Sequence, residues 1–208
     1  MIGSGITVFD YGGGNLKSVL NAFKFLGFPA TATSSPGDIR KAERLVLPGV
    51  SAFGDCTAAM RKTGAADAVR EFIESGKPYL GICLGMHILF SESEESPGEP
   101  GLSVFEGRVV KLPSSPGIKV PHMGWNRLET RDCAMFGGVE NGSWLYFAHS
   151  FHAAPEDDSI VAARTEHGVA FTAAVEKNNV FACQFHPERS SSAGLEILRN
   201  FALFQSDL

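Results

Sequence analysis

The stretch Tyr79-Leu80-Gly81-Ile82-Cys83-Leu84-Gly85-Met86-His87 constrains this chain more than any other. An apolar run after Pro78 reads as a strand, it ends in Gly-x-Cys-x-Gly, and a helix-like stretch follows. A strand that turns sharply into a helix across a nucleophilic residue is a nucleophile elbow. The flanking glycines leave room for a strained turn that β-carbons would crowd. Such a turn lifts the side chain clear of a sheet and sets it at the positive end of the next helix, a place that suits a thiolate. A buried structural cysteine in a tight turn would leave the same local pattern. The nucleophile reading therefore needs a base elsewhere in the chain.

Far downstream, Gln184-Phe185-His186-Pro187-Glu188 offers an imidazole and a carboxylate two residues apart at what reads as a strand end. With Cys83 these supply nucleophile, base and base-orienting acid. His186 alone would read as an ordinary core or surface histidine; the combination raises it to a triad candidate. His122, His149, His152 and His167 lack metal-ligand spacing, and Cys56, Cys133 and Cys183 read as structural. Gly12-Gly13-Gly14 does not fit a dinucleotide fingerprint, because Lys17 stands where its last glycine would be, and it reads as a tight βα turn.

A chain of 208 residues suits one α/β domain, and 44% apolar residues allow a sheet buried on both faces. A net charge of −5 gives no reason to expect nucleic acid or an anionic membrane as partner. No apolar stretch is long enough for a transmembrane helix. Met1-Ile2-Gly3-Ser4-Gly5-Ile6 lacks the regions of a signal peptide, and the four scattered cysteines include no CxxC pair. The expectation is a reduced, cytoplasmic chain with no metal and no cofactor.

Ile6–Asp10 reads as a strand, and Leu16, Val19, Leu20 and Phe23 recur at helical spacing until Gly27 and Pro29. Arg44–Leu47 reads as the next strand, and helical patterning from about Asp55 to Ser75 divides at Gly64. The strand before Cys83 completes a β-α-β-α-β alternation, which implies a parallel sheet with helices on its faces. Glu92 to Gly101 reads as an acidic loop. The short runs Gly107–Leu112, Trp144–Ala148, Ile160–Ala163 and Val180–Phe185 read as antiparallel additions to the sheet, and Ala193 to Phe204 as a closing helix.

Taken together, the Gly-x-Cys-x-Gly elbow and the late His-Pro-Glu resemble the class I (triad) glutamine amidotransferases. Asp10-Tyr11-Gly-Gly-Gly-Asn15-Leu16, Pro48-Gly49-Val50-Ser51-Ala52-Phe53, Lys119-Val120-Pro121-His122-Met123-Gly124-Trp125-Asn126 and Tyr146-Phe147-Ala148-His149-Ser150 narrow the likeness to one branch, the glutaminase subunits of imidazole glycerol phosphate synthase. The resemblance runs end to end. It implies one glutamine amidotransferase domain over residues 1–208, an α/β flavodoxin-like three-layer sandwich with a mixed, mostly parallel central sheet. It implies hydrolysis of L-glutamine, with Cys83 as nucleophile, His186 as base and Glu188 as its orienting acid. Oxyanion donors would be the N–H groups of Leu84 and Val50, the latter reached by a peptide flip at Gly49. Substrate contacts would be His87, Glu95, His149 and Ser150. The partner implied is the (β/α)8-barrel cyclase subunit of the same synthase, in a heterodimer, met by Asn15, Met123, Trp125, Tyr146 and Arg189.

Two positions depart from the family pattern. His87 stands where a glutamine is usual, and Ser51 replaces a common glycine in the oxyanion loop. At an ordinary histidine pKa near 6.5, His87 would gain charge on the acid side of neutrality and weaken glutamine binding there. Rival readings are another class I glutaminase, such as that feeding pyridoxal phosphate synthesis, a binding subunit that has lost turnover, and a cysteine hydrolase of similar fold. The Lys119–Asn126 stretch argues against the first, the intact triad against the second, and the late His-Pro-Glu against the third.

Overall fold

A computed structural model of the protein describes residues 5–13, 15–114 and 117–205; Gly14 of the expected glycine turn and Met1 to Ser4 lie outside them. The first half follows the expected alternation. Strand β1 (Ile6–Phe9) leads to helix α1 (Leu16–Phe25), whose spaced apolar residues bury Val19, Ala22 and Phe23. Then come β2 (Ala30–Thr33), α2 (Pro36–Lys41), β3 (Arg44–Gly49), α3 (Phe53–Thr63), α4 (Ala65–Glu74), β4 (Tyr79–Cys83) and α5 (Leu84–His87). Gly64, in the left-handed region at φ 77°, separates α3 from α4 as its sequence suggests.

The second half carries β5 (Glu92–Ser93), β6 (Gly107–Lys111), β7 (His122–Arg127), β8 (Glu129–Thr130), β9 (Trp144–His149), β10 (Phe151–Pro155), β11 (Val161–Glu166), β12 (Ala170–Lys177), β13 (Val180–Cys183) and α6 (Ser191–Leu203). The central sheet runs β2-β1-β3-β4-β13-β12-β11-β8. Its first five strands are parallel and the rest antiparallel, so the sheet is mixed and mostly parallel, with the flavodoxin-like order in its parallel part. Helices α1 and α6 cover one face, where the rings of Phe23 and Phe201 lie 6.3 Å apart. Helices α2, α3 and α4 cover the other, around Ile39, Phe53, Met60 and Phe72.

Three expectations are corrected. Strand β13 runs parallel to β4, not antiparallel to the sheet's body, and only its pairing with β12 is antiparallel. The Gly107–Leu112 and Trp144–Ala148 runs do not join the central sheet; β6 pairs with β5 and β10, and β9 pairs with β7, in two small separate sheets. Glu92–Ser93, at the head of the expected acidic loop, form β5; β7, β8, β10 and β12 went unread, as did strand β2 and helix α2. The strand is an edge of alternating Ala and Thr with no fully buried residue, and the helix is one and a half turns opened by Ser35, whose hydroxyl accepts from Asp38 N–H, and by Pro36.

The parallel pairing positions the site. Gly49 stands in register with Cys83, and Cys183 with Ile82, so β3, β4 and β13 all release their chains at one end. Ligand crevices of open α/β sheets lie beyond the carboxyl ends of their strands. No helix among the described residues is long and apolar enough to cross a membrane.

Candidate active site

Cys83 closes β4 and caps α5 with φ 53° and ψ −104°, a strained conformation for a residue with a β-carbon. Two glycines make room for it. A Cβ on Gly81 would lie 2.3 Å from the Gly85 carbonyl oxygen, and one on Gly85 would lie 1.8 Å from that of Leu47. The Tyr79 hydroxyl donates to the Gly85 carbonyl at 2.9 Å and ties the turn to its own strand. The elbow is therefore present, although α5 is a single turn.

His186 and Glu188 follow β13 beside it. His186 Nδ1 lies 3.0 Å from Glu188 Oε1, and both side chains are almost wholly buried. A carboxylate only accepts, so Nδ1 carries the proton and Nε2 is left to face sulfur. Burial alone would discharge the ring, but the Cys83 sulfur and the Glu188 carboxylate outweigh it and raise His186 to about 10. The second Glu188 oxygen has no hydrogen-bond partner among the described residues. Its charge therefore has the imidazolium as its nearest balance. Burial pushes Cys56 up to about 12 and Cys133 up to about 11, which keeps both as thiols at neutral pH.

A cavity of about 280 Å³ opens above Cys83. Gly49, Val50, Leu84, His87, Glu95, His149 and Ser150 line it, so the sequence-expected oxyanion and substrate residues share one wall system. Leu84 opens α5, where its N–H has no helical acceptor and is available as a donor. The Val50 N–H is engaged: it donates to the Tyr11 hydroxyl at 3.2 Å, which the Ser51 hydroxyl also approaches at 3.3 Å. A Cβ on Gly49 would meet that hydroxyl and the Leu84 Cβ at 2.7 Å each, so glycine is needed there for close approach. Glu95 accepts from Phe53 N–H at 2.8 Å through one oxygen, at the head of α3, which leaves the other for a ligand ammonium.

His87 differs from expectation. Its Nε2 lies 2.7 Å from Gln184 Oε1, and burial lowers its pKa to about 4, with Gln184 opposing and His152 reinforcing the shift. It remains neutral across the range in which an ordinary histidine titrates, so the expected loss of glutamine binding just below neutrality has no source in His87. His149 Nδ1 donates to the Phe151 carbonyl at 2.8 Å. Its Nε2 then accepts from His122 Nδ1 at 3.0 Å, and His122 Nε2 accepts from Asn126 Nδ2 at 3.3 Å. Both rings are neutral, since burial lowers His122 to about 4 and holds His149 well below the ordinary histidine value. This ordered chain ties the Lys119–Asn126 stretch to the cavity wall, and nothing in the spacing of those histidines announced it.

Among the expected partner-facing residues, Met123 reaches the cavity wall and Trp125, Tyr146 and Arg189 pack on one another. Met123 is 65% and Trp125 47% exposed on β7, and Met123 also lines the cavity. Trp125 meets Tyr146 edge-on at 6.1 Å, and the Arg189 guanidinium lies 4.1 Å from the Tyr146 ring centre. Asn15 stands at the head of α1, which packs against the Pro187–Arg189 turn. Gln184 and Tyr11 are among the site residues to which the sequence assigned no role. Gln184 was visible beside His186, but its partners meet it only through the sheet.

The described residues contain no cluster of His, Cys, Asp or Glu that could hold a metal ion. The family model for "Glutamine amidotransferase class-I" matches residues 7–204. The chain is 50% identical over 197 residues to "Imidazole glycerol phosphate synthase subunit HisH" of Methanothermobacter thermautotrophicus, covering 94% of this chain and 96% of that protein. It is 46% identical over 202 residues to the protein of the same name from Syntrophotalea carbinolica, covering 94% and 98%. Among solved structures, "Crystal structure of glutamine amidotransferase" superposes with a TM-score of 0.75 at 22% identity, covering 95% of this chain and 99% of that one. "Structure of PurLQS from Thermotoga maritima" superposes at 0.73 and 23% identity, covering 96% and 98%. At those identities the structural likeness speaks for the fold.

Proposed function

Since the chain belongs to the class I glutamine amidotransferases, and within them to the HisH relatives, we propose that it is the glutaminase subunit of an imidazole glycerol phosphate synthase. It hydrolyses L-glutamine and passes ammonia to a (β/α)8 cyclase subunit, which uses it on PRFAR to form imidazole glycerol phosphate and AICAR in histidine biosynthesis. The observation that carries the reading is the buried His186–Glu188 pair at 3.0 Å beside Cys83 at the floor of the cavity.

The Cys83 thiolate attacks the side-chain amide carbon of glutamine, and the C–N bond breaks as the tetrahedral intermediate collapses. The proton held on His186 goes to the departing nitrogen, which leaves as ammonia, and a glutamyl thioester remains on sulfur. His186, now neutral, takes a proton from water as its oxygen attacks the thioester. Glutamate leaves, and the thiolate–imidazolium pair is restored. Glu188 stabilises the charged ring through both halves. The oxyanion is met by Leu84 N–H and, once released from Tyr11, by Val50 N–H. Glu95 takes the α-ammonium of glutamine, and His149 and Ser150 complete the pocket.

Asn15, Met123, Trp125, Tyr146 and Arg189 form the face offered to the cyclase, and the protein acts in the cytoplasm as one domain over residues 1–208. The test is ammonia release from glutamine by the chain alone, with the cyclase, and with cyclase plus PRFAR. Turnover that needs the cyclase and rises with PRFAR supports the reading. No release under any of the three conditions overturns it.

A further inference from the structure

Gln184 leaves β13 with its backbone N–H on the Ala173 carbonyl at 2.8 Å, and its side chain is fully buried. The side-chain amide touches two polar groups. Its Nε2 lies 3.6 Å from Cys83 Sγ, and its Oε1 lies 2.7 Å from His87 Nε2. The carbonyl oxygen only accepts, so Nε2 of the neutral His87 ring must carry the proton. That bond fixes the amide's orientation and turns its N–H toward sulfur.

We propose that Gln184 is a positioning residue for glutamine hydrolysis: its side-chain amide holds the Cys83 sulfur, and His87 holds the amide. The inference rests on the reading of Cys83 as nucleophile. The elbow fixes the backbone of Cys83 and leaves χ1 as its freedom. His186 bears on the sulfur from one side, and a donor from Gln184 removes the remaining rotation. An N–H aimed at an anionic sulfur is charge-assisted, and an amide keeps its donor at every working pH. His87 therefore acts behind the nucleophile. It stands where the family pattern has glutamine, and its Nε2 is committed to Gln184 instead of to substrate.

The test uses the chain assembled with its cyclase and two readouts. One is kcat and KM for glutamine. The other is the second-order rate of Cys83 alkylation by iodoacetamide, followed on the Cys83 peptide by mass spectrometry, which needs no substrate. Gln184→Leu is expected to lower kcat and the alkylation rate about tenfold or more, the usual worth of a hydrogen bond to a charged group, with KM within about twofold. His87→Leu is expected to lower both rates by a smaller factor. His87→Gln, which can still donate to Gln184 Oε1, is expected to restore alkylation to near the parent rate. A merely structural role predicts equal losses in His87→Leu and His87→Gln and no specific effect on alkylation. Parent-like kcat and alkylation in Gln184→Leu, or a change in KM alone, would overturn the proposal. If Gln184→Leu does not fold, the two His87 variants decide: equal alkylation rates overturn it. Failure of the underlying reading looks different, since the parent complex would then release no ammonia from glutamine.

Discussion

The hydroxyl of Tyr11 accepts the Val50 N–H at 3.2 Å, and that N–H is the second donor proposed for the oxyanion. On that proposal, one residue from the first βα turn holds the donor out of use. A neutral hydrogen bond is worth about 1 kcal/mol, whereas an oxyanion donor is worth about 10²- to 10³-fold in rate. Removing the restraint should therefore recover only part of the donor's value. Tyr11→Phe is expected to raise glutaminase kcat of the isolated chain about fivefold and to shrink the stimulation by cyclase and its ligand. A basal rate equal to the parent's would show that Tyr11 does not restrain the loop.

Gly85 of the elbow should be among the least replaceable glycines of the described residues. With 1.8 Å between a Gly85 Cβ and the Leu47 carbonyl oxygen, backbone must move. Gly85→Ala is expected to cost more than the ~1–3 kcal/mol of ordinary overpacking, read as a urea midpoint shift. Gly12→Ala has open space and only a positive φ of 94° to contend with, so it should cost about 1 kcal/mol. Equal costs at the two positions would mean that conformation, not close approach, selects glycine in the elbow.

Acid should destabilise the fold through its buried neutral histidines. The folded pKa of His87 is about 4, against 6.5 when unfolded. Between those values the unfolded chain binds a proton that the folded chain refuses. Stability therefore falls as pH drops from about 6.5 to about 4, by up to ~1.4 kcal/mol per pH unit from this residue, and is flat in this contribution below that. His87→Gln should make the slope of unfolding free energy against pH shallower in that window, with a residual slope from His122 and His149, which burial also holds neutral. An unchanged slope would mean that His87 is hydrated in the native state.

What the sequence made legible follows from how local each feature is. The elbow could be read because a strand, a turn and two glycines lie within one short stretch, and the geometry at Cys83 agrees. The α1 and α3–α4 helices showed their apolar spacing and glycine stops. Strand β2 was hidden because its side chains are small and partly exposed at a sheet edge. The direction of β13 was hidden because parallel pairing with β4 is set by the crossover, not by the strand's own residues. The cavity-lining residues were brought forward by family likeness, and the geometry collects them in one cavity. The partners of Tyr11, His87 and His122 were illegible, since each bond joins segments far apart in the chain.

Glu188 should matter through His186 and not through contact with glutamine. Glu188→Gln keeps shape but removes the charge that stabilises the imidazolium across 3.0 Å. Loss of the acid in comparable triads costs up to about 10⁴-fold in kcat. The expected outcome is a large fall in kcat with little change in KM. A rise in KM at constant kcat would place Glu188 in substrate binding instead.

The central claim is that Cys83 supplies the covalent step and that ammonia is the product handed onward. Its most direct test is Cys83→Ala in the complex with the cyclase, assayed for product formation from PRFAR with glutamine and then with an ammonium salt as nitrogen source. The account predicts that glutamine-dependent formation is abolished and ammonia-dependent formation is retained at the parent rate. Glutamine-dependent formation near the parent rate would contradict it.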